Sequence, residues 1–184
     1  MNYVFLGILG FILLIVVIMF NMLIVKRNQV DNISSTVDIL LKKRYDLIPN
    51  LVETVKGYAA HESSLFTKVT ELRSKAMSSE GSAKAEADGQ LMGTLKTLFA
   101  VSEKYPDLKA SEGFLQVQRS LNEIEEQISA ARRAFSASVN DYNNAIQMVP
   151  LNIMAGMMNM KPRAYFSVSE EDRKNIIIGE QLKK

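Results

Sequence analysis

Residues 3–25 read YVFLGILGFILLIVVIMFNMLIV, and the run stops at Lys26 and Arg27. No side chain from Tyr3 to Val25 carries a charge. At about 1.5 Å per residue, a helix over this stretch is about 34 Å long, enough to cross a hydrocarbon core of about 30 Å with some tilt. A helix also satisfies its backbone N–H and C=O groups internally, as lipid demands. The stretch therefore predicts one membrane-spanning helix, from Tyr3 through Phe11 to Val25, with Lys26 and Arg27 as its basic flank. A cleaved secretory signal would show a basic start, a shorter apolar core and a small-residue cleavage site. Met1-Asn2 and Asn21-Met22-Leu23 supply none of these. A core helix of a water-soluble protein is rarely apolar on every face for such a length. Asn21, the one polar interruption, falls near the charged end, where the interface lies.

Flanking charge sets the expected orientation. Lys26, Arg27, Lys42, Lys43 and Arg44 follow the span, and no Lys or Arg precedes it. Because positive residues stay on the cytoplasmic side, the reading puts the N-terminus outside and the remainder in the cytoplasm, with the lipid bilayer as first partner. The absence of cysteine fits a reducing compartment.

Working outward, the rest of the 184 residues amounts to one domain's worth of chain. Three segments are expected: anchor and basic flank at 1–27, a helical bundle at 28–162 and a tail at 163–184. Gly and Pro are sparse while Ala, Leu, Lys, Glu, Ser and Met are common, a composition that favours helices. A net charge of +2 gives no electrostatic case for nucleic acid.

Apolar residues then recur at steps of three and four: Val30, Ile33, Val37, Leu40, Leu41, Ile48, Leu51, Val55, Ala59, Phe66, Val69, Leu72 and Ala76. With no turn signal after Val25, the simplest reading is one helix that leaves the membrane and runs to about Ser78. Pro49 should kink it without ending it, since the stripe keeps its phase across Ile48, Leu51 and Val55. Residues 78–82 read as a turn, and 83–104 as a second helix ended by Tyr105-Pro106-Asp107. The clearest stripe is the third: Phe114, Val117, Leu121, Ile124, Ile128, Ala131, Phe135, Val139, Tyr142, Ile146 and Val149, closed by Pro150. Its length calls for an equally long antiparallel partner, and only the first helix qualifies. The fold class is thus all-α: a membrane helix continuing into an antiparallel long-helix bundle of three to four helices.

Leu151–Met160 reads LNIMAGMMNM. It is either a last short helix closing the bundle or, because Met adapts to varied surfaces, a contact patch between neighbours. Leu151, Met154, Met157 and Met158 are the candidate interface residues. Ser169 with Asp172 suggests a capped last turn, and Ile176–Ile178 a short docking segment.

The chain offers little catalytic chemistry. His61-Glu62 starts an H-E-x-x-H pattern, but position 65 is Leu. No nucleophile elbow, phosphate-binding loop or dinucleotide glycine pattern occurs. Glu123, Glu125 and Glu126 read as a solvated face. Arg44, Asn50 and Glu53 lie around Pro49 at positions expected to face the bundle, with Arg44 either reaching solvent along its stem or meeting a Glu. No catalytic residue, metal or cofactor is expected.

The stretch Lys43-Arg44-Tyr45-Asp46-Leu47-Ile48-Pro49-Asn50-Leu51-Val52-Glu53-Thr54-Val55-Lys56-Gly57-Tyr58-Ala59-Ala60-His61-Glu62 resembles the signature of the LemA family of bacterial membrane proteins. Tyr105-Pro106-Asp107-Leu108-Lys109-Ala110, Asp141-Tyr142-Asn143, Ala155-Gly156-Met157, Lys161-Pro162 and Tyr165-Phe166 follow in family order. The resemblance implies a single-pass protein of the bacterial inner membrane, with a cytoplasmic helical bundle and no established enzymatic activity. Some members belong to magnetosome-membrane machinery, which implies a role in membrane assembly or shaping. The expected function is a non-enzymatic scaffold that self-associates as a homo-oligomer. The competing expectation is an adaptor that presents its bundle to another membrane protein, such as a protease or sensor.

Overall fold

A computed structural model describes residues 2–165 as six helices with no strand among the described residues. They are α1 (Asn2–Lys56), α2 (Ser63–Ser78), α3 (Gly81–Ser102), α4 (Pro106–Lys109), α5 (Glu112–Gln147) and α6 (Leu151–Met157). The all-α class and the long apolar N-terminal helix are as read from the sequence. Ser169, Asp172 and Ile176–Ile178 lie outside the described residues.

The chain forms two compact units, one built from residues up to Leu41 and the stretch that starts at Glu123, the other from Lys42–Asn122. In the first, the apolar run of α1 is exposed from Tyr3 to Val17, and only near its end does α1 enter a core. There Leu23 and Val30 share a cluster with Val139, Tyr142, Ala145 and Ile146 of α5 and Ala155 of α6.

In the second unit the structure corrects one element. The first periodic stretch is two helices, because α1 ends at Lys56 and α2 begins at Ser63. Gly57 weakens the helix at the break, and the N–H groups of Tyr58 and Ala59 both close on the Val55 carbonyl, at 3.0 and 2.9 Å. The reversal allows the α2 stripe of Phe66, Val69, Leu72 and Ala76 to be buried, which a straight continuation would have left uncovered. Periodicity missed the turn because folding back preserves the spacing of apolar residues within each helix.

Pro49 lies inside α1 and the helix continues through it. Lacking an N–H, Pro49 releases the carbonyl of Tyr45 four residues back. The Arg73 Nε–H on α2 donates to that carbonyl at 2.7 Å. The proline thus creates an acceptor that fastens the α1–α2 hairpin. Arg73→Ala should cost about 1–2 kcal/mol in the native chain and clearly less beside Pro49→Ala, whose N–H can satisfy Tyr45 instead. Thermal melts of the two single variants and the double variant check this; additive effects would reject it.

Two further joints have local causes. Gly81 opens α3 at φ +56°, a conformation that side chains with a Cβ disfavour. Pro106 starts α4 at a position that needs no N–H. The Phe99 and Phe114 rings then meet edge-on, centroids 6.0 Å apart, joining α3 to the start of α5.

The third stripe is real, but its members differ in depth. Leu121, Ile128, Val139, Tyr142 and Ile146 are buried, whereas Ile124 is half-buried and Val149 is exposed.

Candidate functional site

Two places concentrate polar and charged side chains that tie the helices together. The first lies where the apolar run meets its basic flank. The Lys26 ammonium pairs with Asp141 of α5 at 2.8 Å, while Arg27 remains exposed. Asp141, Tyr142 and Asn143 occupy successive positions near the end of α5, and each makes a different tie. Tyr142 donates its hydroxyl to the Lys161 carbonyl at 3.1 Å. Asn143 both donates to the Arg163 carbonyl at 2.9 Å and accepts the Arg163 N–H at 2.8 Å. Arg163 in turn reaches Asp31 of α1 at 3.0 Å. The Asp141-Tyr142-Asn143 and Lys161-Pro162 motifs therefore meet in space as a clasp that straps residues 161–165 back along α5.

Between the two arms of that clasp sits α6. Leu151, Met154 and Met158 pack against the cluster around Leu23, and Ala155 is buried in it. Met157 points outward, 80% exposed, with Ile153, Met148 and Val149 exposed beside it. Of the four candidate interface residues, three face the chain's own core and Met157 does not. Just past α6, Asn159 takes φ 51° and the Met160 N–H closes on the Ala155 carbonyl at 3.0 Å; Asn tolerates this left-handed turn.

The second place is a buried charged node in the other unit. Arg44 is 1% exposed and its guanidinium pairs with Asp88 of α3. Tyr45 donates its hydroxyl to the same Asp88 oxygen at 2.8 Å, and the Arg44 guanidinium lies 5.7 Å from the Tyr45 ring centre. Sequence reasoning flagged Arg44 but expected solvent or a Glu. Asp88 was missed because its acidic side chain interrupts an otherwise ordinary α3 stripe. Its one signal was its place immediately after Ala87, on the buried side of that stripe. Asn50 and Glu53, expected to face the bundle, are exposed, and Glu53 pairs with Lys56 at 3.3 Å. A helix turn of 100° per residue carries them past the edge of the stripe. His61 is exposed, and no group of acidic and histidine residues suited to a metal occurs among the described residues.

Burial, then the Asp88 charge and hydrogen bond, push the Tyr45 hydroxyl well above its ordinary value of 10.0. The sign follows by linkage. A raised folded value means the contribution is complete below about pH 10 and is lost as the pH rises above it, because the unfolded chain releases the proton first. Neutral pH should leave this contribution untouched. Alkaline titration of tyrosinate absorbance should show one hydroxyl that ionises only with unfolding and that Tyr45→Phe removes; smooth titration of every tyrosine before unfolding would contradict it.

Fold and site together define an all-α protein whose N-terminal helix is long and apolar enough to cross a membrane. The LemA family model matches residues 33–178, and the chain belongs to that family. It is 28% identical over 162 residues to Protein LemA of Metamycoplasma hominis, covering 87% of this chain and 74% of that protein. It is 25% identical over 159 residues to the magnetosome protein MamQ of Magnetospirillum gryphiswaldense and to MamQ 2 of Paramagnetospirillum magneticum. Those matches cover 72% of this chain and 58% of each MamQ protein.

Proposed function

We propose that this chain is a non-enzymatic scaffold that self-associates at the bacterial inner membrane and organises or shapes it. Each subunit contributes one membrane helix, N-terminus outside, with residues after Arg27 in the cytoplasm. The observation that carries the proposal is the unbroken course of α1 from Asn2 to Lys56. Its lipid-compatible run and its packed stretch at Leu23 and Val30 are one helix, clamped by Lys26–Asp141 and Arg163–Asp31. An anchor that merely tethers needs no such stiffness. A stiff one transmits the orientation of each subunit to the membrane, and a closed head-to-tail ring is the natural assembly around the membrane normal. The names of the MamQ relatives, proteins of a membrane organelle, agree with a membrane-organising role.

Mass photometry of the full-length protein in mild detergent tests this: a large uniform particle is expected, and a monomeric population would end the scaffold reading. A reporter fused after Lys184 should behave as cytoplasmic, and cleavage of the bundle by protease added to intact cells would reject the orientation. The second reading, an adaptor for another membrane protein, is favoured by an open groove along α1 and α2, lined by Ile48, Val52 and Phe66 with Glu53, Lys56 and Glu71 at its rim. A monomer that retains a partner membrane protein would promote it.

A further inference from the structure

We infer that the outward face of the α5–α6 corner, formed by Met148, Val149, Ile153 and Met157, is a second lipid contact seated at the boundary between headgroups and acyl chains beside the anchor. The inference rests on α1 spanning the membrane, and its test separates the two claims.

Register is the first argument. Lys26 pairs with Asp141, so these two charges lie at one level. From Asp141 to Met148 is about 10 Å of helix, and the same count back from Lys26 reaches Met19, inside the uncharged run. The shared cluster gives the direction: Leu23, inside the run and 0% exposed, is covered by the end of α5 and by α6, and Met19 is half-buried. The corner therefore descends past the basic flank towards the apolar run and does not stop at it.

Charge is the second, independent argument. No residue from Tyr142 to Met160 is charged, and Asp141 and Lys161 bracket the stretch. No residue from Tyr3 to Val25 is charged, and Lys26 ends it. The two uncharged stretches pack side by side; the charges that open one and close the other, Asp141 and Lys26, pair directly, and the Lys161 backbone carbonyl accepts the Tyr142 hydroxyl. No charge has to leave water for the corner to enter the boundary layer, so the largest cost of insertion is absent.

The exposed side chains are the third. Val149 and Met157 are 79% and 80% exposed, as are apolar side chains of α1 such as Tyr3 and Val4 at 89% and 69%. Interfacial segments typically sit about 5–10 Å into this zone, and unbranched Met adapts to mobile acyl chains. Such a foot fixes the rotation of α1 about its axis, because only one face of the helix then carries the second contact.

The chain contains no cysteine, so single spin labels can be placed without other changes. The full-length protein is reconstituted into phosphatidylcholine–phosphatidylglycerol vesicles with a label at Val149→Cys, Met157→Cys, Phe11→Cys or Lys68→Cys. Collisions with oxygen report lipid, and collisions with a water-soluble nickel chelate report water. Labels at 149 and 157 should fall between Phe11→Cys and Lys68→Cys in oxygen access, with nickel access several-fold below that of Lys68→Cys. Nickel access at 149 and 157 with Phe11→Cys still in lipid would overturn the second contact and leave the anchor standing. Shielding from both reagents would also overturn it, because protein, such as a second copy, would then cover the face. Nickel access at Phe11→Cys would overturn the anchor and the inference with it.

Discussion

Asp88→Ala should lower the melting temperature of the full-length protein in mild detergent by roughly 10 °C, corresponding to a loss of about 3–5 kcal/mol. The substitution leaves most of the α3 backbone and stripe in place but removes the carboxylate that compensates the buried Arg44 guanidinium. It also takes away the acceptor of the Tyr45 hydroxyl. A buried charge whose partner is deleted costs far more than the pair contributed, because the remaining ion keeps its desolvation penalty. Replacing both ions with apolar residues, as in Arg44→Met with Asp88→Leu, should recover much of the loss. Circular dichroism melts of the three proteins check the cycle. A parent-like melt for Asp88→Ala would mean that the node is not buried as described.

The node shows where sequence reasoning reached its limit. Arg44 was legible as an anomaly, since a charge within an apolar stripe needs an explanation. Its partner was not, because Asp88 lies on a different helix, and helical spacing carries no information about which helices face each other. The same limit applies to Arg73, whose role depends on the α1–α2 reversal and on the carbonyl that Pro49 releases.

Ile128→Asp should have an effect of similar size. Ile128 is 0% exposed on α5, so an aspartate there would be buried without a designed partner or would force the helix out of its packing. The cost should be about 3 kcal/mol or more. Ile124→Asp is the matched control, one turn away and half-buried, where the carboxylate can reach water. It should melt distinctly above Ile128→Asp. Equal melting of the two variants would show that the buried line of α5 has been placed on the wrong residues. The stripe as read from the sequence included both positions with no basis for ranking them. Spacing places a residue on a face, whereas its depth depends on the neighbours that cover that face.

The sequence by itself determined the long apolar N-terminal helix, the helical class and the close of α5 ahead of Pro150. Each rests on local physics: an uncharged run as long as a bilayer is thick, periods of three and four, and Pro150 after the last turn. It also carried the family, through motifs that are contiguous in the chain. Only the tertiary structure decided that α1 stops at Lys56, that Arg44 belongs to Asp88, and that α6 turns three of its four candidate residues inward. These outcomes depend on which surfaces meet after the chain reverses at Gly57 and again beyond Gln147. Apolar periodicity is nearly degenerate for such choices, since a stripe is satisfied by any cover of matching shape. The choice is made by packing, by the few buried charges that must find each other, and by carbonyls and amides that cannot be left without a partner.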